Sequence, residues 1–267
     1  MKYYLSLCCI IKNEKYLEQF ITYYHILGVE HFYIYDNDSL PRISDRLNNN
    51  YFKNLCTIIP FSGKMKQLPA YNDCINRTKD ETKWLVIVDG DEYIYPKQDF
   101  SLRDFISKYD NYHAVGINWV FFGSSFHEKS QNGILIDKFR HCNKNQNEHI
   151  KTICQPKFTI SFRDPHCVNL QNPTKYIDSN YNIISGPYNK NHTITKIQIN
   201  HYHLKSREDL HRKRALGPTP DRLEGYKGPD DAVIHQLDND IIDNGICDKY
   251  LEHIKRYIQE NNIKLHL

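Results

Sequence analysis

The first third of the chain alternates short apolar runs with segments of helical periodicity. Residues 3–11 are almost continuously apolar, which is typical of a strand that is covered on both faces. Apolar side chains then recur at helical spacing from Tyr16 to Tyr24, and Gly28 follows as a C-terminal stop signal. Residues 32–35 return to strand character. This pattern predicts a strand, a helix and a second strand in one βαβ unit.

The alternation continues through residue 88. We predict a strand over residues 55–60, a helix from Met65 to Ile75 and a buried strand over residues 84–88. Strands that alternate with helices indicate an α/β fold with a mostly parallel, twisted, Rossmann-like sheet flanked by helices. In such sheets, ligands bind beyond the carboxyl ends of the strands. Three of the predicted strand ends are polar: residues 12–14, 36–38 and 89–92.

The pattern is less regular beyond residue 96. We predict a helix over residues 102–109, a strand over residues 114–122, a loop-rich region over residues 131–147 and a strand over residues 157–162. A Pro/Gly-rich stretch then covers residues 217–229, ahead of a closing amphipathic helix. No repeat and no long linker is apparent. We therefore predict a single domain over residues 1–217, with a C-terminal helical extension over residues 218–267 that packs on the same domain.

A strand and a basic helix precede the Pro/Gly-rich stretch. Residues 194–203 alternate in strand fashion, which would place His201 and His203 on one face. Ser206 stands three residues before Asp209, so it is predicted to cap the following helix.

The composition excludes several classes of protein and partner. The chain has 35 Lys and Arg against 32 Asp and Glu, a net charge of +3, so no field strong enough to favour nucleic acid is expected. No stretch approaches the roughly 18 apolar residues of a membrane span. Eight cysteines are too few for a disulfide scaffold and none forms a C-x-x-C pair, so structural zinc is not expected, and thiols among apolar residues suggest a reducing compartment. We predict a cytoplasmic protein whose core thiols include Cys8, Cys9, Cys56, Cys74 and Cys154.

The strongest chemical signal is the acidic turn after the predicted strand at residues 84–88. Asp89, Asp91 and Glu92 bring three carboxylates to one sheet end within four residues. Such a cluster of like charges is costly unless a cation shares it, and oxygen ligands favour Mg²⁺ or Mn²⁺. An ordinary acidic turn without a ligand has the same sequence pattern. The residues alone leave both interpretations open.

Several polar blocks follow one another in a defined order. The main blocks are residues 12–14 (Lys-Asn-Glu), 28–39, 89–93 (Asp-Gly-Asp-Glu-Tyr) and 200–206 (Asn-His-Tyr-His-Leu-Lys-Ser), and weaker ones are Trp119 with residues 122–125 and residues 151–153. Together, over roughly residues 5–217, they resemble glycosyltransferase family 92 and its family 2-like relatives, which have the GT-A fold. The order of the blocks is more specific than any one of them.

The resemblance implies a metal-dependent transferase that moves a sugar from a nucleotide diphosphate sugar, expected to be a UDP-sugar, to a carbohydrate or glycoconjugate acceptor with inversion. Asp91 would bind the Mn²⁺ or Mg²⁺ that bridges the diphosphate, and Asp89 would face the ribose or the metal. His201 would complete the metal site, with His203 as its competitor. Glu92 would orient its neighbours.

The resemblance also implies further residues in donor binding. Asp36 matches a position that meets the uridine or ribose, and Gln67 and Asn72 match a segment that closes over the nucleotide. Lys205 and Ser206, together with Arg207, would hold phosphate at the start of the next helix. The predicted donor-binding residues are Asn13, Glu14, Asp36, Gln67, Asn72, Asp89, Lys205 and Ser206.

The catalytic base and the acceptor surface are the least determined parts of the site. An inverting transfer needs a carboxylate or an imidazole near the acceptor hydroxyl, opposite the leaving diphosphate. We predict Asp164 or His166, because the strand before them falls between the metal motif and His201. Further candidates for the base are His127, Glu128 and Asp178. Candidate stacking surfaces for an acceptor sugar are Trp119 and Phe121 or Phe122.

Two other functions stay open. A haloacid-dehalogenase-type phosphohydrolase also carries an Asp-x-Asp pair after a buried strand, although Tyr93 stands where that family usually has Thr or Val. Such an enzyme would form an aspartyl phosphate at Asp89. A non-catalytic protein that only binds a sugar or a nucleotide would have the same fold as the transferase.

Overall fold

The computed structural model describes residues 1–191, 193–215 and 236–265. The strands are β1 (Tyr3–Ile11), β2 (His31–Asp36), β3 (Cys56–Pro60), β4 (Thr82–Ile87), β5 (Glu92–Pro96), β6 (Ala114–Phe121), β7 (His141–Cys142), β8 (Ile150–Cys154), β9 (Thr159–Phe162), β10 (Val168–Leu170), β11 (Tyr176–Asp178), β12 (Ile197–His201) and β13 (Ile241–Ile242). The helices are α1 (Leu17–Ile26), α2 (Ile43–Arg46), α3 (Asn50–Leu55), α4 (Gln67–Thr78), α5 (Leu102–Ser107), α6 (Leu135–Lys138), α7 (Arg207–Ala215) and α8 (Gly245–Glu260). Two 3₁₀ turns cover Pro156–Phe158 and Pro173–Lys175.

Within these described ranges, nine strands form one mixed sheet in the order β3-β2-β1-β4-β8-β6-β12-β5, with β11 paired to β6. The strand β1 is parallel to its neighbours β2 and β4, and β2 is parallel to β3. The strand β6 is parallel to β11 and β12, whereas β8 and β5 run antiparallel to their neighbours. The prediction of an α/β fold with a mostly parallel sheet and flanking helices is therefore confirmed.

The strand β1 is covered on both faces, as its apolar run predicts. Leu5, Leu7 and Cys9 belong to a buried cluster that also takes in side chains of α1, α5 and α8. Cys8 and Ile10 belong to a second cluster with side chains of α4. The two-residue period of a strand sends alternate side chains into the two clusters. Helices on opposite faces thus hold β1 in the middle of the molecule.

The N-terminal βαβ unit has the predicted elements. The strand β1 has the predicted bounds, and α1 and β2 follow within two residues of the expected positions. The five cysteines predicted as core thiols are all free; Cys56 is partly buried and the other four are buried.

The second half of the molecule differs from the predictions at several points, and it contains the strands β8, β10 and β11, which the sequence pattern did not predict. The strand expected over residues 194–203 is shorter, Ile197–His201, although the backbone N–H of Tyr202 still donates to the carbonyl of Asp91, the next pair in the register of β12 and β5. His203 lies beyond the strand, but its ring contacts that of His201, with centroids 5.5 Å apart, so the two histidines lie side by side as predicted. The region expected to be loop-rich contains α6 and β7. The strand expected from residue 157 begins at Thr159, because Pro156 starts a 3₁₀ turn.

The closing helix α8 packs on α1 and α6. Its residues Ile246, Tyr250 and Ile254 belong to the same buried cluster as Leu5 of β1. The predicted boundary at residue 217, with the Pro/Gly-rich stretch that follows it, lies outside the described residues. Among the helices of the described ranges, none is long and apolar enough to cross a membrane.

Candidate functional site

The acidic turn lies at the carboxyl end of β4, between that strand and β5. Gly90 packs so closely on the loop after β1 that a Cβ there would lie 2.6 Å from Cδ1 of Ile11 and 3.3 Å from Cγ of Glu14. A side chain at this position would push the turn away from that loop. The glycine therefore lets the two carboxylates beside it reach groups from several other elements.

Asp89 is held by three donors from two distant elements. Its Oδ1 accepts from Nε2 of Gln67 at 2.7 Å and from the hydroxyl of Tyr71 at 2.8 Å, both on α4. Its Oδ2 accepts from Nζ of Lys151 on β8 at 2.9 Å. Burial raises the pKa of this carboxyl, but the Lys151 ammonium outweighs burial and holds the pKa below its ordinary value. Asp89 is therefore ionised and fixed in one orientation.

Glu92 supports the turn from beneath. Its side chain is fully buried, and Oε2 accepts from the backbone N–H of Asp89 at 2.9 Å. Nζ of Lys151 lies 3.8 Å from the same oxygen. Burial raises the pKa of Glu92 well above its ordinary value despite that ammonium. These contacts fit the predicted role of Glu92 in orienting its neighbours.

Asp91 faces a different set of groups. Its Oδ2 lies 2.9 Å from Nζ of Lys213 on α7, and its Oδ1 lies 3.6 Å from Nε2 of His201 at the end of β12. Burial raises the pKa of Asp91, but Lys213 and His201 together hold it well below its ordinary value. Burial lowers the pKa of His201, so this imidazole is neutral at pH 7.

The Asp91 and His201 side chains fit a divalent cation as two of its ligands. Neighbouring ligands of an octahedral ion stand roughly 3 Å apart, which is close to the 3.6 Å between Oδ1 and Nε2. The described residues contain no group of three or more His, Cys, Asp or Glu side chains that could hold a metal ion by themselves. The remaining ligands would therefore have to come from a bound diphosphate and water, as is usual for Mg²⁺. Asp89 fits less well, since both of its oxygens already accept hydrogen bonds.

Several residues predicted to bind the donor are bonded within the protein. Glu14 forms an ion pair with Lys205, whose Nζ lies 2.6 Å from Oε1. Asn13 accepts from the N–H of Leu40 at 2.7 Å. Further contacts of this kind are those of Asp36 with the N–H groups of Ser39 and Ile43, and of Ser206 with Asp209. The predicted capping of α7 by Ser206 is thus present in the structure, and the donor-binding roles stay predictions.

The two predicted residues on α4 have different surroundings. Gln67 donates to Asp89 and so belongs to the acidic turn. Asn72 accepts from the backbone N–H of Phe162 at 2.7 Å and donates to its carbonyl at 3.3 Å, so it joins α4 to the end of β9. Of the pair, only Gln67 contacts another predicted site residue through its side chain.

The aromatic side chains of β6 divide between the site and the core. Trp119 contacts His201, with ring centroids 4.4 Å apart, and also His149 and His166. Phe122 is fully buried and packs on Tyr202, so it faces the core. The neighbouring Phe121 instead contacts His201 and His203. Of the two alternatives predicted for the acceptor surface, the geometry favours Phe121, with Trp119, over Phe122.

The candidates for the base also differ. Asp164 accepts from the N–H groups of His166 and Cys167 and from the Cys167 thiol, so its carboxylate organises its own loop. His166 bonds through Nδ1 to the carbonyl of Ile150, and burial lowers its pKa to about 4. Of the three further candidates, Asp178 is buried among asparagine side chains, Glu128 lies near Arg207, and His127 bonds to the Lys138 carbonyl.

Sequence reasoning gave no site role to four residues at this sheet edge, although it included Lys151 in the weak block at residues 151–153. Lys151 and Tyr71 hold Asp89, and Lys213 holds Asp91. Asp238, which is buried, lies 2.7 Å from Nε2 of His203. Lys151 carries a signal that could have revealed it, since it is a lone charge within the apolar strand β8. The other three residues carry no such local signal.

Comparison with known proteins connects this geometry to a family. A family model described as glycosyltransferase family 92 matches residues 3–244. A glycosyltransferase family 92 protein of Ricinus communis is 32% identical over 122 residues, which are 41% of this chain and 21% of that protein. One of Arabidopsis thaliana is 27% identical over 132 residues, 43% of this chain and 22% of that protein. The similar segment thus spans about a fifth of the length of these relatives.

A solved structure is also similar, although remotely. The crystal structure of Staphylococcus aureus TarS, residues 1–349, in complex with UDP has a TM-score of 0.37 and 14% identity. The match covers 59% of this chain and 48% of that chain. The family match is far stronger, since it spans nearly all of the sequence and carries the acidic turn and the His201 block. The chain belongs to glycosyltransferase family 92.

Proposed function

We propose that this chain transfers a sugar from a nucleotide diphosphate sugar, with UDP as the nucleotide, to a glycan or glycoconjugate acceptor. Membership of glycosyltransferase family 92 supports a transferase over the phosphohydrolase alternative. The observation that carries the proposal is the meeting of Asp91 and His201, 3.6 Å apart, at the carboxyl end of the sheet. Ligands of α/β sheets bind at such ends.

In this proposal, Asp91 Oδ1 and His201 Nε2 hold a Mn²⁺ or Mg²⁺ ion together with the diphosphate of the donor. The ion would neutralise the charge that develops on the departing nucleoside diphosphate. Lys213, which lies 2.9 Å from the other oxygen of Asp91, is placed to pair with a diphosphate oxygen. Asp89, held by Lys151 and α4, would orient the ribose of the donor.

His166 is the better of the two predicted bases. Its Nδ1 donates to the Ile150 carbonyl, which leaves the lone pair on Nε2. The pKa of about 4 keeps this imidazole neutral at pH 7. The same low pKa makes Nε2 a weak proton acceptor. The ring lies 5.0 Å from that of Trp119, on which the acceptor sugar would stack. Inversion would follow if His166 takes the hydroxyl proton opposite the diphosphate.

Replacement of Asp91 tests the proposal. UDP is titrated into the wild type and into Asp91→Asn with and without Mn²⁺, and a panel of UDP-sugars is then assayed for release of UDP with candidate acceptors. We expect Asp91→Asn to lose Mn²⁺-dependent UDP binding and to lower transfer by roughly 10²-fold or more. Asp80→Asn, in an exposed turn just before the start of β4, is the matched control and should behave as the wild type.

Three results would contradict parts of the proposal. Equal Mn²⁺-dependent UDP affinity in wild type and Asp91→Asn would exclude Asp91 as a metal ligand. Tight binding of UDP without transfer from any donor of the panel would favour the non-catalytic alternative. A phosphorylated enzyme intermediate at Asp89 would favour the phosphohydrolase.

A further inference from the structure

A cavity, which we call the basic pocket, opens at the same edge of the sheet as the acidic turn. It has a volume of about 410 Å³ and lies between the loop after β1, the helix α2, the loop after β6 and the helix α7. Its lining carries the cations Lys15, Arg46 and Arg212 and the carboxylate Glu208, together with the polar side chains of Ser130 and Asn132. The cations of the lining outnumber its one carboxylate, although Arg46 is paired with Glu18 and Arg212 lies near Asp209.

The basic pocket is separate from the acidic turn. The ion pair of Glu14 and Lys205 stands between them, because Glu14 packs on Gly90 on one side and precedes Lys15 on the other. The helix α7 serves both places with different faces. Lys213 reaches Asp91, whereas Glu208 and Arg212, one helical turn apart, line the pocket.

Within the described part of the chain, no carboxylate lies within ion-pair distance of the Lys15 ammonium. Its Nζ donates to Oγ of Ser130 at 2.8 Å, to the carbonyl of Gln131 at 3.0 Å and to Oδ1 of Asn132 at 3.5 Å, and all three acceptors are uncharged. The carboxylate of Asp209 is linked to Lys15 only through Ser130, whose hydroxyl accepts from Lys15 and donates to Asp209. Burial lowers the pKa of Lys15, although the nearby carboxylates of Asp209 and Glu208 act in the opposite direction.

The other charged side chains of the lining differ in how far partners within the protein balance their charge. Arg46 pairs with the buried Glu18 through Nε and Nη2, so its charge is balanced inside the protein. Glu208 accepts from the N–H of Ser130 at 2.9 Å, which fixes the wall of the pocket. Arg212 lies 3.5 Å from Asp209, and its side chain is 54% exposed. Lys15 and Arg212 therefore have the cationic groups best placed to contact a ligand.

We propose that the basic pocket binds a compact oxyanion, and that a phosphate monoester is the class it fits best, with Lys15 and Arg212 as its contacts. An ammonium and a guanidinium together recognise phosphate through charge-assisted hydrogen bonds. The volume suits a small ligand such as a sugar phosphate. An oxyanion there supplies the negative charge that Lys15 lacks. The inference goes beyond the proposed function and holds whether or not Asp91 binds a metal.

The test measures binding of inorganic phosphate to the full chain by calorimetry at constant ionic strength, without divalent cations. We expect one phosphate per chain, with affinity lowered roughly tenfold or more in Lys15→Met and in Arg212→Gln. Arg212→Gln changes a half-exposed side chain, so it keeps the test valid if Lys15→Met unfolds. Lys12→Met, an exposed change of the same charge three residues away, should leave the affinity unchanged within about twofold.

Two further measurements test the chemical class of the ligand and the site at which it binds. Glucuronate, a sugar carboxylate, should bind more weakly than phosphate, and tighter binding of glucuronate would overturn the phosphate class. Lys213→Met should bind phosphate as the wild type does. Loss of binding in that variant would place the anion at the acidic turn and overturn the proposal. Equal affinity in wild type, Lys15→Met and Arg212→Gln would overturn it as well.

Discussion

Asp89 and Asp91 lie two residues apart in one turn, yet the cations that contact their carboxylates differ in burial. Asp89 is bonded to Lys151, whose side chain is 1% exposed, and to two side chains of α4. Asp91 is bonded to Lys213 of α7, whose side chain is 43% exposed. The cation at Asp89 is part of the sheet, and the cation at Asp91 comes from the surface.

This difference separates a fixed half of the site from an exchangeable half. A buried ion pair is costly to break, because removal of one partner leaves the other charge without solvent. The Asp91 pair is exposed only on the lysine side, since the Asp91 side chain is 9% exposed; water can solvate the Lys213 ammonium, but the carboxylate then needs another cation. Asp89 is therefore suited to orient a ligand, whereas Asp91 can exchange Lys213 for another cation.

The largest effect is expected from Lys151→Met. It removes the cation from Asp89 and leaves a carboxylate uncompensated beside the buried Glu92, so the free energy of unfolding should fall by about 3 to 5 kcal/mol. Urea denaturation followed by circular dichroism gives the value. The double variant Lys151→Met/Asp89→Asn should recover part of the lost unfolding free energy, because it removes the carboxylate that Lys151 no longer compensates. A loss under about 1 kcal/mol would show that Asp89 is not held by a buried pair.

An intermediate effect on stability is expected when the pH is lowered, and we expect it to come from His166, beside the fixed half of the site. Its pKa is about 4 in the folded protein, against about 6.5 in an unfolded chain, so between these values the unfolded state binds more protons. Stability should therefore fall as the pH drops from 7.5 to 5, by about 1.5 to 2 kcal/mol from this residue.

His166→Gln isolates that contribution, because glutamine does not titrate. The difference in unfolding free energy between wild type and His166→Gln, measured by denaturation at pH 7.5 and pH 5, should shrink or reverse in acid. A difference that is the same at both pH values would mean that the folded protein protonates His166 as easily as the unfolded chain does.

The smallest effect is expected from Lys213→Met, the same substitution on the exchangeable side. The Lys213 ammonium is 43% exposed and His201 stays 3.6 Å from Asp91, so the free energy of unfolding should fall by only about 1 kcal/mol even though the Asp91 carboxylate is buried. Parallel urea titrations of Lys151→Met and Lys213→Met give the contrast directly. A loss in Lys213→Met as large as that in Lys151→Met would contradict the division of the turn into two halves.

The parts of the fold that local patterns decide agree with the sequence. The apolar run at residues 3–11 coincides with β1, because a strand buried on both faces needs apolar residues throughout. The capping pair of Ser206 and Asp209 spans one helical turn, so it is visible in the sequence. The acidic turn was identified because its three carboxylates lie within four residues.

The groups that surround those carboxylates were decided by the tertiary structure. Lys151 is 62 residues from Asp89, and Lys205 is 191 residues from Glu14. These pairs exist because β8 runs antiparallel beside β4 and because α7 follows β12 back over the loop after β1. The contact of His201 with the acidic turn is set in the same way, since β12 runs antiparallel beside β5 and the N–H of Tyr202 donates to the Asp91 carbonyl. The sequence by itself determined β1 to β4 and the acidic turn, because these depend on neighbouring residues, and only strand order and helix packing determined which cation each carboxylate meets.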